Sequence, residues 1–215
     1  MTEPIKTIVQ CDFDGTATRE DGSVVLLDAF TGQGWRSLLE DYEEGRIGVG
    51  RFSSDIFINI KEDRETLLEV IRKEISLRPG FSDMIDCCKR KGFRFVIVSN
   101  GLDFYIDEIL HNAGLGGLEV HAAETDFSPD GLKVFYRGPD GNLLDTDFKL
   151  AYTNLYLSQG YRIVYIGNGY SDGAPAGKSH FVFATDSLVR HCRKRGIACT
   201  PFDDHNDIIP ILETL

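Results

Sequence analysis

The sequence predicts an α/β protein: a parallel sheet flanked by helices, with a helical module inserted after the first strand. Three observations carry this. Short apolar runs alternate with amphipathic stretches, the pattern of successive βα units. The clearest run, Arg94 to Ser99, is almost continuously apolar, as a strand covered on both faces should be. Between the first strand and the helix leading into the second lie about 60 residues, where such a connection normally takes about 2 to 6. The chain has 215 residues, of which 42% are hydrophobic, enough for a sizeable core.

Taken in order, Ile5 to Asp12 reads as the first strand. Leu26, Leu27 and Phe30 then mark one helix, and Trp35, Leu38, Leu39 and Tyr42 a second. Val49, Phe52, Ile56 and Ile60 fall on one helical face, and Leu67, Ile71 and Ile75 on another. Pro79-Gly80 is a return hinge. The module is thus expected at residues 18–78, and the α/β core at 1–17 and 79–215. Arg94 to Ser99 is the second strand and Leu118 to Ala122 the third. Two turn signals, Ser128-Pro129-Asp130-Gly131 and Gly138-Pro139-Asp140-Gly141, flank Leu132 to Tyr136 and predict a β-hairpin or flap projecting from the core. Arg162 to Ile166, His180 to Ala184 and a short Ile197 to Thr200 complete the sheet.

Several function classes are disfavoured. A formal net charge of −11 repels phosphate backbones, which argues against a nucleic-acid binder. It leaves room for a small phosphorylated ligand, which is read by local charges. No apolar run approaches the roughly 20 residues of a membrane helix. The stretch Met1 to Lys6 lacks a basic start followed by an apolar segment, so a cytoplasmic protein is expected. Cys11, Cys87, Cys88, Cys192 and Cys199 form no C-x-x-C pair and read as reduced thiols. His111, His121, His180, His191 and His205 show no ligand spacing and read as structural.

The candidate chemistry sits at strand ends. Asp12-Phe13-Asp14-Gly15-Thr16 closes the first strand. Residues two apart in extended chain point the same way, so Asp12 and Asp14 converge. Close carboxylates repel unless a cation or a shared proton relieves them. Ser99-Asn100-Gly101 ends the second strand, with a helix beginning near Asp103; a hydroxyl and amides there suit a phosphate. Lys149, at a helix start, offers a positive charge. Gly167-Asn168-Gly169-Tyr170-Ser171-Asp172 follows another strand and can bring Asn168 and Asp172 toward the first pair. Taken singly, each is also an ordinary acidic turn, loop, solvated lysine or capping aspartate.

The four elements in this order, with a helical insert after the first, resemble the haloacid dehalogenase-like phosphohydrolases. The resemblance covers nearly the whole chain. It implies a Rossmann-like parallel core with a helical cap. It implies that Asp12 is a nucleophile forming an aspartyl-phosphate, and that Asp14 is the general acid and then the base. Thr16, Ser99, Asn100 and Lys149 would hold the phosphoryl group. Mg²⁺ would be bound by Asp12, Asp14 through its carbonyl, Asn168 and Asp172. Family phosphatases usually carry Asp where Asn168 stands, so Asp172 is expected to contribute more directly. The insert position is similar to the branch that includes phosphoserine phosphatases, phosphoethanolamine/phosphocholine phosphatases and a methionine-salvage enol-phosphate phosphatase. Asp12 to Asp21, Ser99 to Asp107, and the tail from Phe183 through Cys192 to Phe202 look most like the last group. Asp21, Arg46 and Arg51 are candidate substrate contacts. The expected partner is a small phosphorylated metabolite. A silent phosphate-binding relative is the alternative, motivated by Asn168.

Overall fold

The computed structural model describes residues 5–215. The start of the stretch read above as lacking a leader, Met1 to Pro4, lies outside them. The chain runs β1 (Thr7–Cys11), α1 (Gly22–Phe30), α2 (Trp35–Glu43), α3 (Val49–Phe57), α4 (Arg64–Glu74), α5 (Phe81–Lys91), β2 (Arg94–Leu102), α6 (Asp103–Asn112), β3 (Glu119–Ser128) and β4 (Gly131–Phe135). It continues with α7 (Phe148–Ser158), β5 (Arg162–Gly167), α8 (Gly173–Ala176), β6 (Phe181–Ala184), α9 (Asp186–Arg195), β7 (Thr200–Pro201) and α10 (Ile209–Leu212).

Seven strands form one sheet in the order β4-β3-β2-β1-β5-β6-β7. All pairs are parallel except β3 with β4. β1 is buried along its whole length, which its apolar sequence anticipates. The winding reverses between β1 and β5, so their carboxyl ends face a crevice where open α/β sheets bind ligands. Cys11 pairs with Ile166 there, and the Asp12 amide donates to the Ile166 carbonyl at 2.9 Å.

Four helices occupy the long connection between β1 and α5. Their inward faces carry the expected residues: Leu26, Leu27, Phe52, Ile56, Leu67 and Ile71 are all buried. The two ends of this segment meet as a short antiparallel bridge, Thr18 with Leu77. The Arg19 amide donates to Ser76 O and the Arg78 amide to Ala17 O, at 3.1 and 2.8 Å. Gly80 then turns the chain into α5 with φ +78°, where a β-carbon would press on the Asn206 backbone.

Two expectations are corrected. β2 does not end at Ser99; it continues to Leu102 with a register irregularity after Val98, and α6 starts directly behind it. The hairpin is not a projecting flap. β4 extends the sheet edge and lies against the insert: Leu132 N donates to Ile60 O at 3.0 Å, and Tyr136 Oη pairs with Ser53 Oγ at 2.9 Å. Its alternating apolar face, Leu132, Val134 and Tyr136, is what the insert covers.

Candidate active site

Lys149 sits in the first turn of α7, almost fully buried, between two carboxylates. Its Nζ lies 2.8 Å from Asp12 Oδ2 and 2.7 Å from Asp172 Oδ1. Buried Gln10 on β1 fixes the base of this lysine: its Nε2 donates to Lys149 O at 3.2 Å, while Thr153 Oγ1 donates to Gln10 Oε1 at 3.0 Å. Burial alone would pull the Lys149 ammonium down, but Asp12 and Asp172 outweigh it and hold it charged.

Asp172 is saturated. Its Oδ1 also accepts from Tyr165 Oη at 2.7 Å, and its Oδ2 accepts from the Asn168 and Gly169 amides at 2.9 and 2.8 Å. Burial works to raise it, yet Lys149 and these donors keep it below the usual carboxylate range. Both Asp172 oxygens thus shape the loop and hold Lys149. Asp12 has fewer partners, Lys149 and the Phe13 amide at 2.7 Å. Burial, with the Asp172 charge, pushes it up to about 7.

Asp14 occupies a different environment. Its Oδ1 accepts from the Gly22 amide at 3.0 Å, and its Oδ2 from the buried Tyr105 hydroxyl. Burial and the nearby Asp21 charge raise its carboxyl well above the ordinary range. Two carboxyls two residues apart thus have opposite support, one facing an ammonium and one facing hydroxyl and amide. Such a split suits one carboxyl that is held ionised and one that carries a proton.

The expected phosphate-site residues separate in the same way. Ser99 is buried, two residues beyond the Cys11–Ile97 pairing, and its Oγ accepts from Gly101 N at 3.1 Å. Asn100 donates from Nδ2 to Tyr42 Oη at 3.2 Å, while its buried Oδ1 has no partner among the described residues. Thr16 is corrected as a phosphate contact. Its amide donates to Phe13 O at 3.1 Å and its hydroxyl to Asn168 Oδ1 at 3.2 Å. It positions Asn168.

Among the described residues no three His, Cys, Asp or Glu side chains cluster as a metal site. What remains is a mixed set: the Asp12 carboxylate, the Asp14 carbonyl and the Asn168 amide oxygen. These are hard oxygen donors, and a buried carboxylate raised toward neutrality is relieved by a cation. The set fits Mg²⁺, with one fewer charge than an Asp at 168 would give.

Of the expected substrate contacts, Arg46 lines a cavity of about 940 Å³ shared with Tyr42, Asn100, Lys149 and Tyr170. Its guanidinium is paired with Asp41 at 2.5 Å and with Glu44. Arg51 is corrected: it is exposed, its Nε lies 3.4 Å from Asp55, and it does not line the cavity. Asp21 caps α1, accepting from Val24 N at 2.9 Å, and adds charge beside Asp14.

Sequence reading missed Gln10, Arg78, Tyr105 and Tyr165, and it read His205 as structural. Arg78 donates to Thr16 O, Gly15 O and Asp203 O at 3.2, 2.8 and 2.6 Å, and His205 Nε2 lies 3.1 Å from Thr16 O. Together they clamp the loop after β1 from below. Gln10, a lone amide inside an apolar strand, was the one legible signal.

With the geometry established, the class follows. The sequence matches the profile of the haloacid dehalogenase-like hydrolases over residues 9–174, and the chain belongs to that family. Within it, the chain is a phosphatase. It is similar to a 2-hydroxy-3-keto-5-methylthiopentenyl-1-phosphate phosphatase of Brevibacillus brevis, 25% identical over 97% of this chain and 96% of that one. A protein of the same name from an Exiguobacterium species is 29% identical over 95% and 96%. Among solved structures, a phospho-aspartyl intermediate analogue of phosphoserine phosphatase superposes with a TM-score of 0.73 over 97% of this chain and 99% of that one, at 16% identity, a likeness of fold.

Proposed function

We propose that the protein is a Mg²⁺-dependent phosphomonoesterase of a small phosphorylated metabolite, working in the cytoplasm through an aspartyl-phosphate on Asp12. The observation that carries this is the division of the two carboxyls: Asp12 against Lys149, Asp14 against Tyr105 and Gly22. In this reading an Asp12 oxygen attacks phosphorus and the ester P–O bond breaks. The Asp14 proton passes to the departing oxygen. Asp14 then takes a proton from water, the water oxygen attacks phosphorus, and the P–O bond to Asp12 breaks, releasing phosphate. Ser99 donates its hydroxyl to the transferring group, and Lys149 balances its charge. Asp12, the Asp14 carbonyl and Asn168 would hold Mg²⁺, which would supply charge neutralisation for the phosphoryl oxygens.

For the substrate we favour a methionine-salvage enol phosphate, because full-length relatives bear that name. Phosphoserine is the second reading, supported by the fold neighbours, with phosphoethanolamine and phosphocholine behind it. The helices of residues 18–78 are proposed as the cap that closes over the leaving group, and the cavity beside Arg46 and Tyr42 as its pocket. Purified protein assayed with these phosphate esters and a generic aryl phosphate should release phosphate only with a divalent cation. Asp12→Asn should abolish release. Metal-independent release, or none with any ester, would refute the proposal.

A further inference from the structure

Tyr105 is fully buried at the start of α6, and its hydroxyl has two partners: Asp14 Oδ2, and Ser23 Oγ at 3.0 Å. The hydroxyl thus bridges the Asp14 carboxyl and the Ser23 side chain.

The surroundings enforce this contact. A β-carbon on Gly101 would collide with both the Tyr105 hydroxyl and Asp14 Oδ2. One on Gly22 would lie 2.9 Å from the Tyr105 ring and 3.2 Å from Asp14 Oδ1. Two glycines therefore let β2 and α1 close on the pair from both sides. The second Asp14 oxygen is fixed by the Gly22 amide at 3.0 Å. Gly22 and Ser23 both belong to α1, the first helix of the insert, so the hold on Asp14 is assembled from core and insert together.

We infer that Tyr105 is a positioning residue that, with Ser23 and the Gly22 amide, fixes the orientation of the Asp14 carboxyl. The inference rests on the reading of Asp14 as acid and base. It concerns a fully buried side chain that acts through Asp14.

Leaving-group dependence separates this role from a structural one. Phenyl, 4-nitrophenyl and 2,4-dinitrophenyl phosphate share a shape but differ in how much their leaving oxygen needs a proton. In Tyr105→Phe, kcat/KM on phenyl phosphate, which reports the acid-assisted half-reaction alone, should fall by about tenfold or more, within the range positioned acids supply. For the dinitrophenyl ester kcat/KM should change by less than about twofold. Ser23→Ala should show the same gradient, more weakly. In an Asp14→Asn background, Tyr105→Phe should cause no further loss, because the two act as one unit. An equal fall in kcat/KM on all three esters, or an additive loss in the double variant, would overturn the inference. If Tyr105→Phe does not fold, the gradient in Ser23→Ala decides by the same criterion. Wild-type protein that hydrolyses none of the esters would instead overturn the phosphatase reading, and this inference with it.

Discussion

His205 shows how much of the candidate site is held by residues that touch no substrate. Its ring is buried under the loop after β1 beside Arg78, and burial pulls its pKa from the usual 6.5 to about 4. The unfolded chain binds a proton below 6.5, while the folded one does not until near 4. Stability is therefore full above 6.5 and is lost as pH falls through that window, by up to about 3 kcal/mol. His205→Gln keeps a donor for Thr16 O and removes the titration. Denaturant unfolding at pH 7.5 and 4.5 should show a smaller acid loss in the variant; equal losses would contradict the assignment. Asn168 makes a second prediction. Its oxygen carries no charge and is steadied by Thr16. Asn168→Asp should tighten Mg²⁺ binding by about tenfold or more in calorimetry, since unit charges at contact distance are worth more than 1.4 kcal/mol in a partly buried site. Unchanged affinity would remove Asn168 from the donor set. At this scale the sequence marked the chemical groups but not their partners. Asp12 and Lys149 stand far apart in the chain and meet only through the sheet crossing. Thr16 looked like a contact to phosphate because a sequence does not show when a hydroxyl is buried and already paired.

The elements depend on one another across the core and insert. α3 begins at Gly48, which has no side chain to cap it. Asp145, in the connection before α7, does so from outside: its carbonyl accepts from Gly50 N at 2.9 Å and its Oδ1 from Arg51 N at 2.8 Å. Asp145→Ala should cost about 1 kcal/mol in unfolding free energy. No loss would show that water replaces the carboxylate. The helices of the insert were legible because their apolar residues recur at helical spacing and each buries a continuous face. The hairpin was half legible. Ser128 to Gly131 encodes its turn, and β4 pairs with β3 as expected. Its packing on α3 was hidden, because Leu132 and Ile60 are far apart in sequence and their contact has no local signature. The extension of β2 to Leu102 was hidden for another reason: Asn100-Gly101 is a turn signal locally, and only pairing with β3 keeps it extended.

For the molecule as a whole, the account is one of position. The sheet reverses between β1 and β5, which brings Asp12 and the Asn168 loop to one crevice. The insert leaves and rejoins the core beside that crevice through the Thr18–Leu77 bridge, so its first helix reaches Asp14 and its α2–α3 turn borders the neighbouring cavity. The strands themselves were readable because β1, β2, β5 and β6 are largely apolar runs followed by polar residues, whereas their order in the sheet was not read from the sequence. No helix among the described residues is long and apolar enough to cross a membrane. A small part of the acidic excess has a local meaning, since Asp12 and Asp172 share one ammonium. The central claim is that Asp12 carries the phosphoryl group between two half-reactions. Protein mixed with Mg²⁺ and a hydrolysable phosphate ester, quenched in acid during turnover and reduced with borohydride, should yield homoserine in place of Asp12 in the peptide map. Steady release of phosphate with Asp12 never modified, or with modification at another residue, would contradict it.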